Sequence, residues 1–224
     1  MEFSIETAAP EKHPGACIAV GVFEPRKLSA PAEALDKAAR GGIRELLRAG
    51  DMEGKAGSTR LLYRVPGVAA ERVLLVGLGR EKEFGEKQYR DCVRAALAAV
   101  QDTGARNASL YFTELPVPGR DAAWKARQLV LMAADAAYRF ERMKSKRSEP
   151  RSLAHVLLAA TSKHESAAAE RGMREGRAIT AGTALARDLG NLPGNVCTPA
   201  HLAEEAVQLA HQWKLAVQVL EQSD

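Results

Sequence analysis

Ala16-Cys17-Ile18-Ala19-Val20-Gly21-Val22-Phe23 is a run without one polar side chain. It is short for a helix and long enough to predict a buried strand. Before it, residues 2–6 (Glu-Phe-Ser-Ile-Glu) alternate apolar and polar, as a strand does. After it, Ser29 is placed to cap a helix and Pro31 falls in the first turn, where a missing N–H costs little. Leu35, Ala39, Ile43, Leu46 and Leu47 recur at helical spacing and predict that helix's buried stripe. Gly41-Gly42 weakens the helix or lets another segment approach it closely.

The alternation continues outward. Thr59–Val65 and Arg72–Val76 read as strands joined through Pro66-Gly67, a turn signal that suggests a hairpin. Tyr89, Val93, Ala96, Leu97 and Val100 predict one face of a helix. Asn107–Phe112 reads as a strand. A long helix is expected from Arg120 to Met143, with Leu129, Met132, Ala133, Ala136, Phe140 and Met143 on one side, and Leu153–Ala160 as a further strand. Strands alternating with helices predict an α/β layered domain around a mainly parallel or mixed sheet, closing near residue 162.

Ser162 and Glu165 then fit a capping box at the head of an Ala-rich helix running to about Leu189. Asn191-Leu192-Pro193-Gly194-Asn195 breaks it, with Pro-Gly suited to the centre of a tight turn. Thr198 and Pro199 predict the next helix start, with Leu202, Ala206, Leu209, Ala210 and Trp213 as its buried stripe. Lys214–Leu220 reads as a strand. One helix and one strand cannot bury their apolar faces unaided, so more chain is expected after residue 224.

Of the 224 residues, 46% are hydrophobic and 27% charged, which is ordinary for a globular protein. No stretch is apolar for long enough to span a bilayer. The opening residues lack the basic start and apolar core of a signal peptide, so a cytoplasmic location is expected. Cys17, Cys92 and Cys197 are too few and too scattered for a disulfide framework or a zinc knuckle, and the first two read as small core residues. The net charge is +4, and residues 120–151 hold nine basic against four acidic residues, so the excess is concentrated there. Such a segment can steer acidic partners, although a solvated helix face is the plainer reading. Arg139, Arg142, Lys144, Lys146, Arg147 and Arg151 flank the expected end of the long helix, where cations favour the negative end of its dipole.

Motifs for chemistry are sparse. There is no HExxH for a zinc peptidase and no GxSxG for a serine hydrolase. His201 and Glu205 lie one helical turn apart, but two groups do not make a metal site, and a solvated polar face explains them. Gly54-Lys55-Ala56-Gly57-Ser58-Thr59 has the composition of a phosphate loop in the wrong order, because Lys and Ser/Thr should directly follow the last glycine. Gly77-Leu78-Gly79 reads as a tight strand exit towards a helix.

The segment Ala186-Arg187-Asp188-Leu189-Gly190-Asn191-Leu192-Pro193-Gly194-Asn195-Val196-Cys197-Thr198-Pro199, followed by His201-Leu202-Ala203, resembles the opening of the catalytic domain of leucyl aminopeptidases, the dimetal family also called cytosol aminopeptidases. The opening of the chain (MEFSIETAAPEKHPGACIAVGVFEPRKLS), the RVLLVGLG strand and the TELPVPGRDAAWKARQ segment resemble its bacterial aminopeptidase A branch. The resemblance implies an N-terminal, macro-domain-like sheet flanked by helices over residues 1–162, a linker helix over 163–190, and over 191–224 the beginning of an α/β metallopeptidase domain. It implies a parent hydrolase, a protease assembled as a homo-hexamer, that releases N-terminal residues, often leucine, from peptide substrates. Two divalent metal ions, manganese or zinc among them, would activate water and polarise the scissile carbonyl.

Family ligand motifs of the type TFDxGG and NTDAEGR do not occur in residues 1–224. No catalytic or metal residue is therefore assigned, no metal is expected in this chain, and it is expected to be inactive alone, serving assembly and active-site access. Asp188, Asn191, Pro193, Asn195 and Pro199 are matched as structural residues that cap helices and fix the junction turn. Two alternatives remain. The resemblance also implies, for some bacterial members, a DNA-binding accessory or regulatory role; through the basic segment 120–151 this chain would then bind double-stranded DNA, with Arg120, Lys125, Arg127, Arg139, Arg142, Lys144, Lys146 and Arg147 as the candidate phosphate contacts. By fold analogy alone, an ADP-ribose-type ligand would sit near Gly77-Leu78-Gly79.

Overall fold

The structure is a computed structural model of the 224-residue chain, described here for residues 1–146, 152–160 and 162–220. Seven strands form one sheet: β1 (Glu2–Glu6), β2 (Ile18–Glu24), β3 (Lys27–Leu28), β4 (Thr59–Tyr63), β5 (Arg72–Arg80), β6 (Asn107–Leu110) and β7 (His155–Ala159). Their order is β1-β7-β6-β2-β5-β4, with β3 beside β2. Every neighbouring pair is parallel except β4 with β5 and β3 with β2. The expected hairpin is thus present, within a mixed sheet.

β2 sits in the middle, which is why its sequence is apolar throughout. Successive side chains of a strand point to opposite faces. Ile18, Val20 and Val22 pack with Leu35, Ile43 and Leu47 on one side of the sheet. Cys17, Ala19 and Phe23 pack with Leu97, Leu129 and Ala133 on the other. Gly21 follows from the same alternation, because a Cβ there would lie 2.5 Å from Leu78 Cδ1.

The helix expected after β2 is two helices, α1 (Ala30–Ala38) and α2 (Gly42–Arg48). The chain turns through left-handed Arg40 and Gly41, with φ of 54° and 88°. Buried Asp36 holds the corner. Its Oδ1 accepts the Arg44 N–H at 2.9 Å and its carbonyl accepts the Gly41 N–H at 2.8 Å. Ser29 precedes α1 but makes no side-chain cap; its N–H instead donates to the Gly21 carbonyl at 3.0 Å. The turn after β4 lies against α1, since a Cβ on Gly67 would fall 2.3 Å from the Ala38 carbonyl oxygen.

On the opposite face, α3 (Glu86–Gln101) buries Tyr89, Val93, Ala96, Leu97 and Val100, the stripe that periodicity predicts. Helix α4 (Ala122–Ala137) stops short of Met143. No residue after Ala133 is buried in it, so nothing rewards continuing the helix; Met143 is exposed. Cys17 and Cys92 are core residues whose thiols burial pushes up to about 11 and about 12, which leaves them inert.

Helix α5 (Lys163–Asn191) is 29 residues long. Ser162 Oγ accepts the Glu165 N–H at 3.2 Å, as a cap should. Its first half packs on α4 at backbone contact distance: a Cβ on Gly172 would fall 1.9 Å from the Ala123 carbonyl oxygen, and one on Gly176 2.9 Å from Val130 Cβ. By contacts the chain divides into a large unit, Met1–Tyr138 with Ser148–Ala181, and a small one, Arg139–Arg147 with Gly182–Asp224. The division falls inside α5.

The small unit holds the end of α5, a turn, and α6 (Pro199–Trp213). Thr198 caps α6 by accepting the His201 N–H at 3.3 Å. The turn differs from expectation, because Pro193 opens it rather than occupying its centre: its carbonyl accepts the Val196 and Cys197 N–H groups, both at 2.9 Å. The stripe expected to be buried is mostly exposed at Leu202, Leu209 and Trp213, and only Ala210 is covered. Lys214–Leu220 forms no strand. Lys214 ends α6 in the left-handed region, and Leu215, Val217, Val219 and Leu220 are exposed. A strand needs a partner for its N–H and C=O groups, and none is present among the described residues of this unit. No helix of the described residues is long and apolar enough to cross a membrane.

Candidate functional site

The Gly77-Leu78-Gly79 segment is inside β5, which runs on to Arg80, and is not a strand exit. The chain at 54–58 lies against it. A Cβ on Gly77 would fall 2.0 Å from the Lys55 carbonyl oxygen. The Gly77 N–H donates to Ser58 O at 2.7 Å, the Gly79 N–H to Gly54 O at 2.8 Å, and the Gly57 N–H to Gly77 O at 2.9 Å. These glycines exist because two backbones touch. Their N–H groups are spent on that contact and are not offered to a phosphate, so the geometry does not favour the ADP-ribose reading.

The cations of the basic segment have separate surroundings. Arg120 reaches Glu86 at 2.6 Å and lies over the Trp124 ring, 5.5 Å from its centroid. The hydrogen bond from Arg120, aided by Arg90, holds the Glu86 carboxyl below its ordinary range. Arg127 pairs with Glu175 of α5 at 2.8 Å. Lys125 is only 8% exposed, and its Nζ donates to the Thr113 carbonyl at 2.9 Å, so it is a core residue and no phosphate contact. Arg139, Arg142, Lys144 and Lys146 lie beyond the end of α4 in the small unit and are exposed, with Lys144 paired to Glu141 at 3.2 Å. They are not cations on a helix C-terminus. Arg147 and Arg151 lie outside the described residues. This arrangement gives the double-stranded DNA reading no support.

Around Lys125 the structure brings together residues that lie far apart in the chain. Thr113 follows β6, and its hydroxyl donates to the Ala159 carbonyl at the end of β7. The Tyr89 hydroxyl donates to the Lys125 carbonyl at 3.1 Å. Glu114, half-buried, is pushed up to about 7, first by burial and next by the charge of Glu165, against the pull of Lys125. Burial in turn pushes the Lys125 ammonium down, opposed by Glu165, Glu114 and Asp121. The signal that could have revealed Lys125 is its spacing: it stands four residues before Leu129 and eight before Ala133, on the buried face of α4.

The matched junction residues lie in the small unit. Asp188 accepts the Leu192 N–H through its carbonyl at 3.2 Å, Pro193 nucleates the turn, and Pro199 is in the first turn of α6. Asn191 closes α5, and Asn195 lies exposed in the turn. The capping oxygen comes from Thr198, not from either asparagine. His201 Nε2 stands 3.7 Å from Glu205 Oε1. No three of His, Cys, Asp and Glu converge among the described residues, so the side chains present do not fit a dimetal centre.

A family model described as the cytosol aminopeptidase family, N-terminal domain, matches residues 19–147. A probable cytosol aminopeptidase of Dechloromonas aromatica (strain RCB) is 48% identical over 225 residues, which cover 100% of this chain and 45% of that protein. One from Nitrosospira multiformis is 47% identical over 228 residues, covering 100% of this chain and 44% of its own. The chain thus spans less than half the length of these curated relatives. Among solved structures, a mutant tomato leucine aminopeptidase superposes with a TM-score of 0.74 over 96% of this chain and 43% of its own, at 22% identity. At that identity the likeness speaks to fold. The bottromycin maturation enzyme BotP gives 0.66 over 90% of this chain and 38% of its own, at 26% identity.

Proposed function

Since the chain belongs to the cytosol aminopeptidase family, whose N-terminal domain it carries, we propose that it is the N-terminal part of a metal-dependent aminopeptidase. The parent protein would release N-terminal residues, leucine among them, from peptides in the cytoplasm. The chemistry would belong to a catalytic domain that follows residue 224 and holds two divalent ions, manganese or zinc. Residues 1–224 would contribute to assembly of a homo-hexamer and to control of access to the active site, and would be inactive alone.

One observation carries this reading: relatives named as probable cytosol aminopeptidases match every part of the chain while being more than twice its length. The test is hydrolysis of a leucyl chromogenic substrate with added manganese or zinc, comparing residues 1–224 with a longer protein from the same gene. Turnover is expected only in the longer protein. Turnover that follows the 224-residue chain through a sizing column would overturn the assignment of chemistry elsewhere.

A further inference from the structure

Within the large unit, a hollow of about 440 Å³ lies between the start of α4 and the first half of α5. That is the size of a site for a small molecule. Arg120, Asp121, Trp124 and Arg127 line it from α4 and the residue before its cap, and Arg171 and Glu175 line it from α5. Three guanidinium groups thus share one hollow with two carboxylates, at the positive end of helix α4.

Each guanidinium is held by a carboxylate and keeps donors to spare. Arg120 uses Nε and Nη2 on Glu86, at 2.7 and 2.6 Å. Arg127 uses Nη1 on Glu175 at 2.8 Å, and Arg171 uses Nη2 on Asp121 at 3.2 Å. A guanidinium carries five N–H groups in a rigid planar fork. Nη1 of Arg120, Nε and Nη2 of Arg127, and Nε and Nη1 of Arg171 have no acceptor among the described residues. Arg120 also lies over the Trp124 ring, 5.5 Å from its centroid. Glu86, which answers Arg120, is shared with Arg90 at 3.3 Å, so it does not even the count of charges.

We propose that this hollow binds one oxyanion group, a carboxylate or a phosphate, carried by a small polar molecule. The spare N–H groups of Arg120, Arg127 and Arg171 are the donors, and their forks match the paired oxygens of either group. Asp121 and Glu175 hold Arg171 and Arg127 in place before the ligand arrives, which lessens the ordering that binding costs. The same two carboxylates repel an incoming anion, so the affinity is a balance that a single substitution can tip either way. A bound anion joins α4 to α5 through both. The proposal stands apart from the peptidase reading.

The test follows the indole N–H resonance of Trp124 in the 224-residue chain carrying Trp213→Phe, titrated with inorganic phosphate and separately with malonate. Sodium chloride at equal ionic strength is the control for screening. A saturable shift with either anion and none with chloride is expected, and the tighter anion names the kind of group bound. Arg127→Gln and Arg171→Gln should each weaken that anion about tenfold, the size of one charge-assisted hydrogen bond. Glu175→Gln keeps an acceptor for Arg127 and removes the repulsion, so it should bind the anion several-fold more tightly, a gain that damaged folding cannot produce. The proposal is overturned if chloride reproduces the shift, if neither anion saturates, or if Glu175→Gln weakens binding.

Discussion

Single residues in this fold are decided by what their atoms meet. Gly77 and Gly182 look alike in sequence, but a Cβ on the first would fall 2.0 Å from the Lys55 carbonyl oxygen, whereas one on the second meets nothing within 4 Å. Gly77→Ala should destabilise the chain by about 1–3 kcal/mol through overpacking. Gly182→Ala, inside helix α5, should stabilise it by about 0.5–1 kcal/mol through helix propensity. Urea midpoints at constant slope would read both. Lys125→Met keeps the stem and removes the positive charge that favours the ionised Glu114 carboxyl. Its cost should be greater at pH 8, where Glu114 is ionised, than at pH 6, where it is protonated. An equal cost at the two pH values would show that only the Thr113 hydrogen bond mattered. None of this is visible from residue type: Lys125 reads as one more cation in a basic segment until its place on the buried face of α4 is known.

At the scale of elements, close backbone approach outweighs surface charge. α5 is joined to α4 by Arg171–Asp121 and Arg127–Glu175, pairs in which every side chain is about a third or more exposed. Such pairs contribute about 0–1 kcal/mol each. The Gly172 contact has no such slack, because any side chain would enter the Ala123 carbonyl. Gly172→Val should therefore loosen the first half of α5 and lower the urea midpoint, whereas Arg171→Ala should shift it only slightly. The reverse order of effects would sink this account. In α6, Thr198→Ala should cost about 1 kcal/mol through the lost cap, seen as faster exchange of the amides at 201 and 202. Periodicity located most helices because a buried stripe must repeat every 3.6 residues. It misplaced their ends, at Gly41 and at Ala137, because a helix stops where its core contacts stop or where a side chain such as Asp36 offers its backbone another partner.

At the scale of the whole molecule, the small unit leaves Leu202, Val207, Leu209 and Trp213 of α6 exposed, Trp213 at 57%, while Trp124 in the large unit is 7% exposed. Emission from the 224-residue chain should contain a red-shifted component that Trp213→Phe removes. Under the proposed function, that component should shift to the blue in a longer protein from the same gene, because further chain would cover α6. Residues 1–224 by themselves determined the α/β class, the central strand at 18–23, the α3 stripe and, through the junction segment, the family. Those signals are local: a two-residue or 3.6-residue period and a contiguous motif survive in one dimension. Tertiary structure alone decided that Lys125 is core, that Gly77 and Gly172 are contact points, that Glu114 is half-buried, and that 214–220 is no strand. Each depends on a partner distant in the chain, or on its absence among the described residues, and burial and strand pairing exist only once that partner is in place.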